Sequence, residues 1–107
     1  MTLPNLKKWA FFYFSAGFSP EENTRINENQ HCTFITVGFD PSAKNDNSII
    51  ETAVKLVNEG VQSIELCGGF GPEWAVKLEE ALQDDTPIGI VMYGPKYRKK
   101  LLEIMKP

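Results

Sequence analysis

The sequence predicts an α/β domain: a small, mainly parallel four-stranded sheet with flanking helices. Three observations carry the prediction. Four apolar or β-branched runs, each stopped by glycine, proline or a polar cluster, have the composition of strands. The later runs are separated by segments whose apolar residues recur at helical spacing. The chain has 107 residues, enough for one core but not two, so residues 1–107 are expected to form a single domain.

The first strand is Trp9-Ala10-Phe11-Phe12-Tyr13-Phe14, stopped by Ser15-Ala16-Gly17. Aromatic residues on both alternating faces predict a central strand covered on both sides. The next segment, Phe18 to His31, is mostly polar. Ser19-Pro20-Glu21-Glu22 opens like a helix, with a cap, a proline in the first turn and a glutamate three residues on. Only Ile26 could then face a core, which predicts a short, weakly packed helix. Cys32 to Val37, β-branched and ending at Gly38, is the second strand.

Ser48-Ile49-Ile50-Glu51 has the pattern of a capping box, and Gly60 suits the position just past a helix end. Between them Ile49, Ile50, Ala53, Val54, Leu56 and Val57 form an apolar stripe. Gln62 to Cys67 is the third strand, running into Gly68-Gly69-Phe70-Gly71-Pro72. Pro72 starts a second helix with Trp74, Ala75, Leu78, Ala81 and Leu82 inward, and Asp84-Asp85-Thr86-Pro87 ends it. Ile88 to Tyr93 is the fourth strand, apolar on both faces. Lys96 to Met105 is a last helix, expected to turn Tyr97, Leu101, Ile104 and Met105 inward.

Alternating strands and helices imply parallel units with right-handed crossovers. With the first strand central, the economical order is 2-1-3-4, as in a flavodoxin-like sheet. The loops Ser15-Ala16-Gly17 and Gly68-Gly69-Phe70-Gly71 would then face each other at the carboxyl ends of strands one and three, where open α/β sheets bind ligands. Two unpaired sheet edges predict a homo-oligomer, most simply a dimer.

Composition narrows the function classes. Hydrophobic residues at 42% and charged residues at 23% are ordinary globular values. A net charge of −3 argues against a general nucleic-acid or anionic-membrane binder, and Lys96, Arg98, Lys99 and Lys100 fit a solvated helix face. One histidine and scattered carboxylates give no metal-ligand spacing, and two cysteines make no disulfide framework. No cofactor is indicated. The apolar run after Lys7-Lys8 is too short for a signal peptide, and no stretch could span a bilayer, so the cytoplasm is the expected compartment.

The glycine turn after the third strand is the strongest local feature. It lacks the Gly-Lys-Ser/Thr ending of a phosphate-binding loop, and Trp74 stands where a dinucleotide fingerprint needs its third glycine. Gly68, Gly69 and Gly71 could offer backbone donors to a ligand, or could simply satisfy a tight turn. Glu65 interrupts an apolar strand near its carboxyl end. A carboxylate desolvated there would have a raised pKa and could act as a general acid or base, while a buried, internally hydrogen-bonded acid is the structural alternative. Cys67 shares its face and is the second catalytic candidate. His31 is expected at the far end of the sheet, which leaves the thiol without a partner base. Ser15, Gly17, Phe70 and Tyr93 complete the expected ligand-binding set.

The stretch from Gly60-Val61-Gln62 through Ile64-Glu65-Leu66-Cys67-Gly68-Gly69-Phe70-Gly71-Pro72-Glu73 resembles the signature of a small bacterial family of uncharacterised α/β domains. The aromatic first strand, Thr36-Val37-Gly38 and Pro87-Ile88-Gly89-Ile90-Val91 are similar to it as well, so the resemblance spans about Trp9 to Tyr93. It implies the fold and assigns no activity. The leading functional expectation is a small-molecule-binding domain, whether or not it is an enzyme. The alternative is a non-enzymatic interaction or assembly module in which the glycine turn is structural.

Overall fold

A computed structural model describes residues 5–106. Residues 1–4, part of the stretch weighed as a leader, lie outside the described residues. Five strands form one mixed sheet: β1 (Lys8–Phe14), β2 (Thr24–Glu28), β3 (Thr33–Phe39), β4 (Ser63–Leu66) and β5 (Ile88–Ile90). Three helices accompany them: α1 (Ser48–Asn58), α2 (Pro72–Ala81) and α3 (Pro95–Ile104). The strand order is β2-β3-β1-β4-β5. β1 pairs in parallel with β3 and β4, β4 pairs in parallel with β5, and β2 is antiparallel to β3. The sheet is therefore five-stranded and mixed, and its order differs from the expected 2-1-3-4 by an extra strand outside β3.

That extra strand replaces the helix expected after Ser19. Ser19-Pro20 makes only a turn, in which the Asn23 N–H donates to the Ser19 carbonyl at 2.7 Å and the Thr24 hydroxyl donates to the Pro20 carbonyl at 2.6 Å. Lacking an apolar stripe, the segment could bury little as a helix. As an edge strand it needs only one neighbour, and Arg25, Asn27 and Glu28 are residues an edge tolerates.

The missing helix decides how the sheet is covered. α1 carries the chain from β3 to β4, and α2 from β4 to β5. Both steps run the same way across the sheet, so right-handed crossovers put both helices on one face, where they pack against each other. Ala10, Phe12, Ile35, Val37, Phe39, Ile64 and Leu66 on that face are buried in one cluster with Ile49, Ala53, Leu56, Trp74 and Leu78 from the helices. The step from β1 to β3 would have placed a helix on the opposite face, but it is made through β2. Trp9, Phe11, Tyr13, Phe34 and Thr36 on that second face are only partly buried. The expectation that β1 is covered on both sides is thus wrong, although its central place is right. Aromatic contacts divide the same way. Phe12–Phe39, Phe14–Phe70, Phe39–Phe70 and Phe70–Trp74 belong to the covered side, and Trp9–Phe34 and Tyr13–Phe18 to the open side.

α1 ends as its sequence predicts and begins differently. Gly60 has φ +105°, the Val61 N–H donates to the Leu56 carbonyl, and the Gly60 N–H donates to the Val57 carbonyl, both at 3.0 Å. This is the Schellman arrangement, with Val61 and Leu56 both buried. At the other end the capping box does not form. Asn47 holds the cap position without a side-chain bond, and Asp46 accepts from the Ser48 N–H at 2.8 Å instead.

Toward the carboxyl end the burial pattern weakens. β5 is three residues long, so Val91, Met92 and Tyr93 are exposed beyond it. Of the α3 residues expected to face inward, only Leu101 is partly buried, while Tyr97, Ile104 and Met105 are exposed. Ala81 of α2 is exposed too. No helix among the described residues is long and apolar enough to cross a membrane.

Candidate functional site

β1, β4 and β5 run in parallel, so the residues that follow them emerge at the same end of the sheet. There a cavity of about 780 Å³ opens, within the range of about 300–1,000 Å³ typical of small-molecule pockets. Phe14 and the Gly68-Gly69 turn contribute one side of the lining, Val91 to Tyr93 another, and Leu101, Leu102 and Met105 of α3 a third. The lining is apolar apart from a few polar atoms, and its charged residues are Lys44 and Arg98.

Each cation is held by backbone. Lys44 lies in a 3-10 turn, Pro41–Asn45, that follows β3. Its ammonium donates to the Gly69 carbonyl and stands 5.2 Å from the centre of the Phe14 ring. The turn is fixed by Asp40, whose carboxylate accepts from the Ser42 N–H at 2.9 Å and the Gly17 N–H at 2.7 Å. Hydrogen bonds from Ser42 and then from Gly17 hold the Asp40 carboxyl down at about 2. Arg98 donates to the Tyr93 carbonyl at 3.3 Å.

The expected site residues divide into three groups. Gly68, Gly69, Gly71, Tyr93 and Cys67 line the cavity. Phe70 does not, because it is wholly buried and stacks on Phe14 at 4.1 Å; it supports the cavity wall from behind. Ser15 and Gly17 belong to the loop network beside it, with the Ser15 N–H donating to Phe39 and the Gly17 N–H to Asp40. Glu65 is the clear correction. It is exposed, not buried, because β4 is covered on one face only and Ile64 and Leu66 take that face. Its side chain lies over Gly89 on the open side of the sheet, away from the cavity.

The glycine turn is part structural. Gly71 has φ +78°, and a Cβ there would meet the Glu73 carboxylate at 2.6 Å, so Glu73 already occupies the start of α2. An anion is therefore better received by Lys44 and Arg98 than by this helix end. Gly68 and Gly69 carry no such backbone requirement. A Cβ at Gly68 would approach the Val91 carbonyl at 3.3 Å, and one at Gly69 would approach Phe14 at 3.4 Å; both glycines keep the cavity wall thin. Cys67 and Cys32 are free thiols, and His31 is exposed in the turn between β2 and β3. Among the described residues no three His, Cys, Asp or Glu side chains gather to hold a metal.

Sequence reasoning missed Lys44, Arg98, Leu101, Leu102 and Met105. Lys44 could have been found, since the strand order puts the loop after β3 beside the end of β1. The α3 residues could not, because among the described residues no strand follows α3 to fix its place.

Fold and cavity together define a two-layer α/β domain on a mixed sheet, with a pocket where its parallel strands end. The chain belongs to DUF6506, a family of unknown function, whose match covers residues 7–106. The match includes α3, beyond the Trp9–Tyr93 span of the resemblance. No curated protein and no solved structure matches the chain at a significant level.

Proposed function

We propose that this domain binds a small, largely apolar molecule carrying one anionic group, in the cavity at the carboxyl ends of β1, β4 and β5. The carrying observation is the cavity's composition: apolar walls whose charged side chains, Lys44 and Arg98, are both cations. The walls would take the hydrocarbon or ring, and one or both cations would take a carboxylate or phosphate. Cys67, which lines the cavity, would contact the ligand, and Glu65, which does not line it, would stand apart. The proposal is for binding, and no reaction is assigned.

A thermal-shift screen of matched pairs tests it, with each apolar carboxylate run beside its amide. A true ligand at a hundred times its dissociation constant should stabilise the fold by about 2.7 kcal/mol. The acid should outperform the amide, and that preference should vanish in the Lys44→Ala/Arg98→Ala variant while Glu65→Gln retains it. A panel in which acids and amides behave alike would sink the reading. The assembly reading is favoured by a separate observation, the open aromatic face of the sheet, and is compatible with a pocket elsewhere.

A further inference from the structure

The register of the sheet aligns residues of its open face in rows. One row crosses all five strands as Arg25, Thr36, Phe11, Glu65 and Gly89. The row below it reads Asn27, Phe34, Trp9 and Ser63. Each row has an aromatic or β-branched middle on β3 and β1 and a polar residue on either side. In the first row the flanking residues carry opposite charges: Arg25 on β2 lies one strand beyond Thr36, and Glu65 on β4 lies one strand beyond Phe11.

We infer that two copies of this chain pair through this open face, about a two-fold axis that runs along the strands between β1 and β3. Such an axis keeps the strand direction and lays β1 of one copy over β3 of the other, which is an aligned sheet-on-sheet packing. Arg25 then faces Glu65 of the second copy, twice. Phe11 faces Thr36, Trp9 faces Phe34, and Asn27 faces Ser63. The contact is self-complementary, as a two-fold interface must be. A two-fold axis at right angles to the strands would instead set Arg25 against Arg25 and Glu65 against Glu65, so the charges choose between the two arrangements.

The sheet edges agree with this choice, and the area bounds its strength. The five strands hold 26 residues, which at about 3.3 Å each and about 4.8 Å between strands give a face of roughly 400 Å² in plan. Two such faces reach about 800 Å², the size of a weak, transient interface, so the charge pairs and not the area select this arrangement. Edge-to-edge pairing is the weaker route, because β2 carries Arg25 and Glu28 and β5 is three residues long.

Light scattering on the full chain at micromolar concentration, with charge-reversed variants, is the test. The unmodified chain should run at twice its 12.1 kDa mass. Arg25→Glu and Glu65→Arg should each weaken the dimer about tenfold or more, and the double variant, which restores opposite charges across the axis, should recover it. Both side chains are exposed, and far-UV circular dichroism checks that each variant folds. A monomer of the unmodified chain, a dimer indifferent to the single reversals, or a double variant that stays monomeric would each overturn the inference.

Discussion

Phe12 and Phe11 are neighbours on β1 and live in different surroundings. Phe12 is wholly buried in the cluster that includes α1 and α2, while Phe11 lies between Thr36 and Glu65 on the open face, partly exposed. Their side chains are identical, so apolar content does not decide which is covered. The direction of the crossovers does. Two helical steps in the same sense cover one face, and the single step that would have covered the other is made by a strand.

Truncation on each face should break this comparison or sharpen it. Phe12→Ala should cost about 3–5 kcal/mol, a large share of the stability of a domain this size. Phe11→Ala should cost about 1 kcal/mol at concentrations that keep the chain monomeric. Urea titrations of both variants measure the gap, and equal losses would mean that the open face is covered after all. If the face pairs two copies, the Phe11→Ala cost should also grow with protein concentration.

The cover itself can be loosened from a distance. Gly60 ends α1 at φ +105°, a conformation that strains any residue with a Cβ, so Gly60→Ala should lose about 1–2 kcal/mol. Native-state hydrogen exchange should show that loss in α1 and the strands beneath it. Uniform exchange across the chain would argue that α1 does not open separately.

Asp40 belongs to neither face, and its effect should be the smallest. Its carboxyl sits at about 2, below the ordinary 3.8, so the folded state holds a proton less readily than the unfolded chain. The stabilisation is fully present above about pH 3.8 and fades as the pH falls toward 2. Asp40→Asn should flatten part of the melting-temperature decline in that window. Some decline should persist, because hydrogen bonds from Ser48 also lower the Asp46 pKa.

What the sequence could reveal follows the same division. Four strands were legible because each is an apolar run closed by a turn signal, and the central place of β1 followed from its aromatic density. β2 was not legible, since Thr24-Arg25-Ile26-Asn27-Glu28 has the polarity of a loop and an edge strand needs no second neighbour. Without β2, nothing reveals that one face lacks a helix, and Glu65 then looks like a buried acid rather than an exposed one. The end of the sheet that bears the cavity was legible from the glycine turn. Lys44, Arg98 and the wall from α3 depended on how distant segments come together.

The central position of β1 has a consequence for how the chain is made. Its backbone is flanked by β3 and by β4, and the Gln62 side chain that accepts from the Lys8 N–H lies 54 residues further on. At about 5–20 residues per second, the aromatic run from Trp9 to Phe14 waits roughly 3–11 s in the ribosome's vicinity before that second neighbour exists. Such a strand is prone to pair with another nascent copy. Lys7-Lys8 on one side and the polar stretch after Phe18 on the other stand as charged and turn-forming guards during that delay.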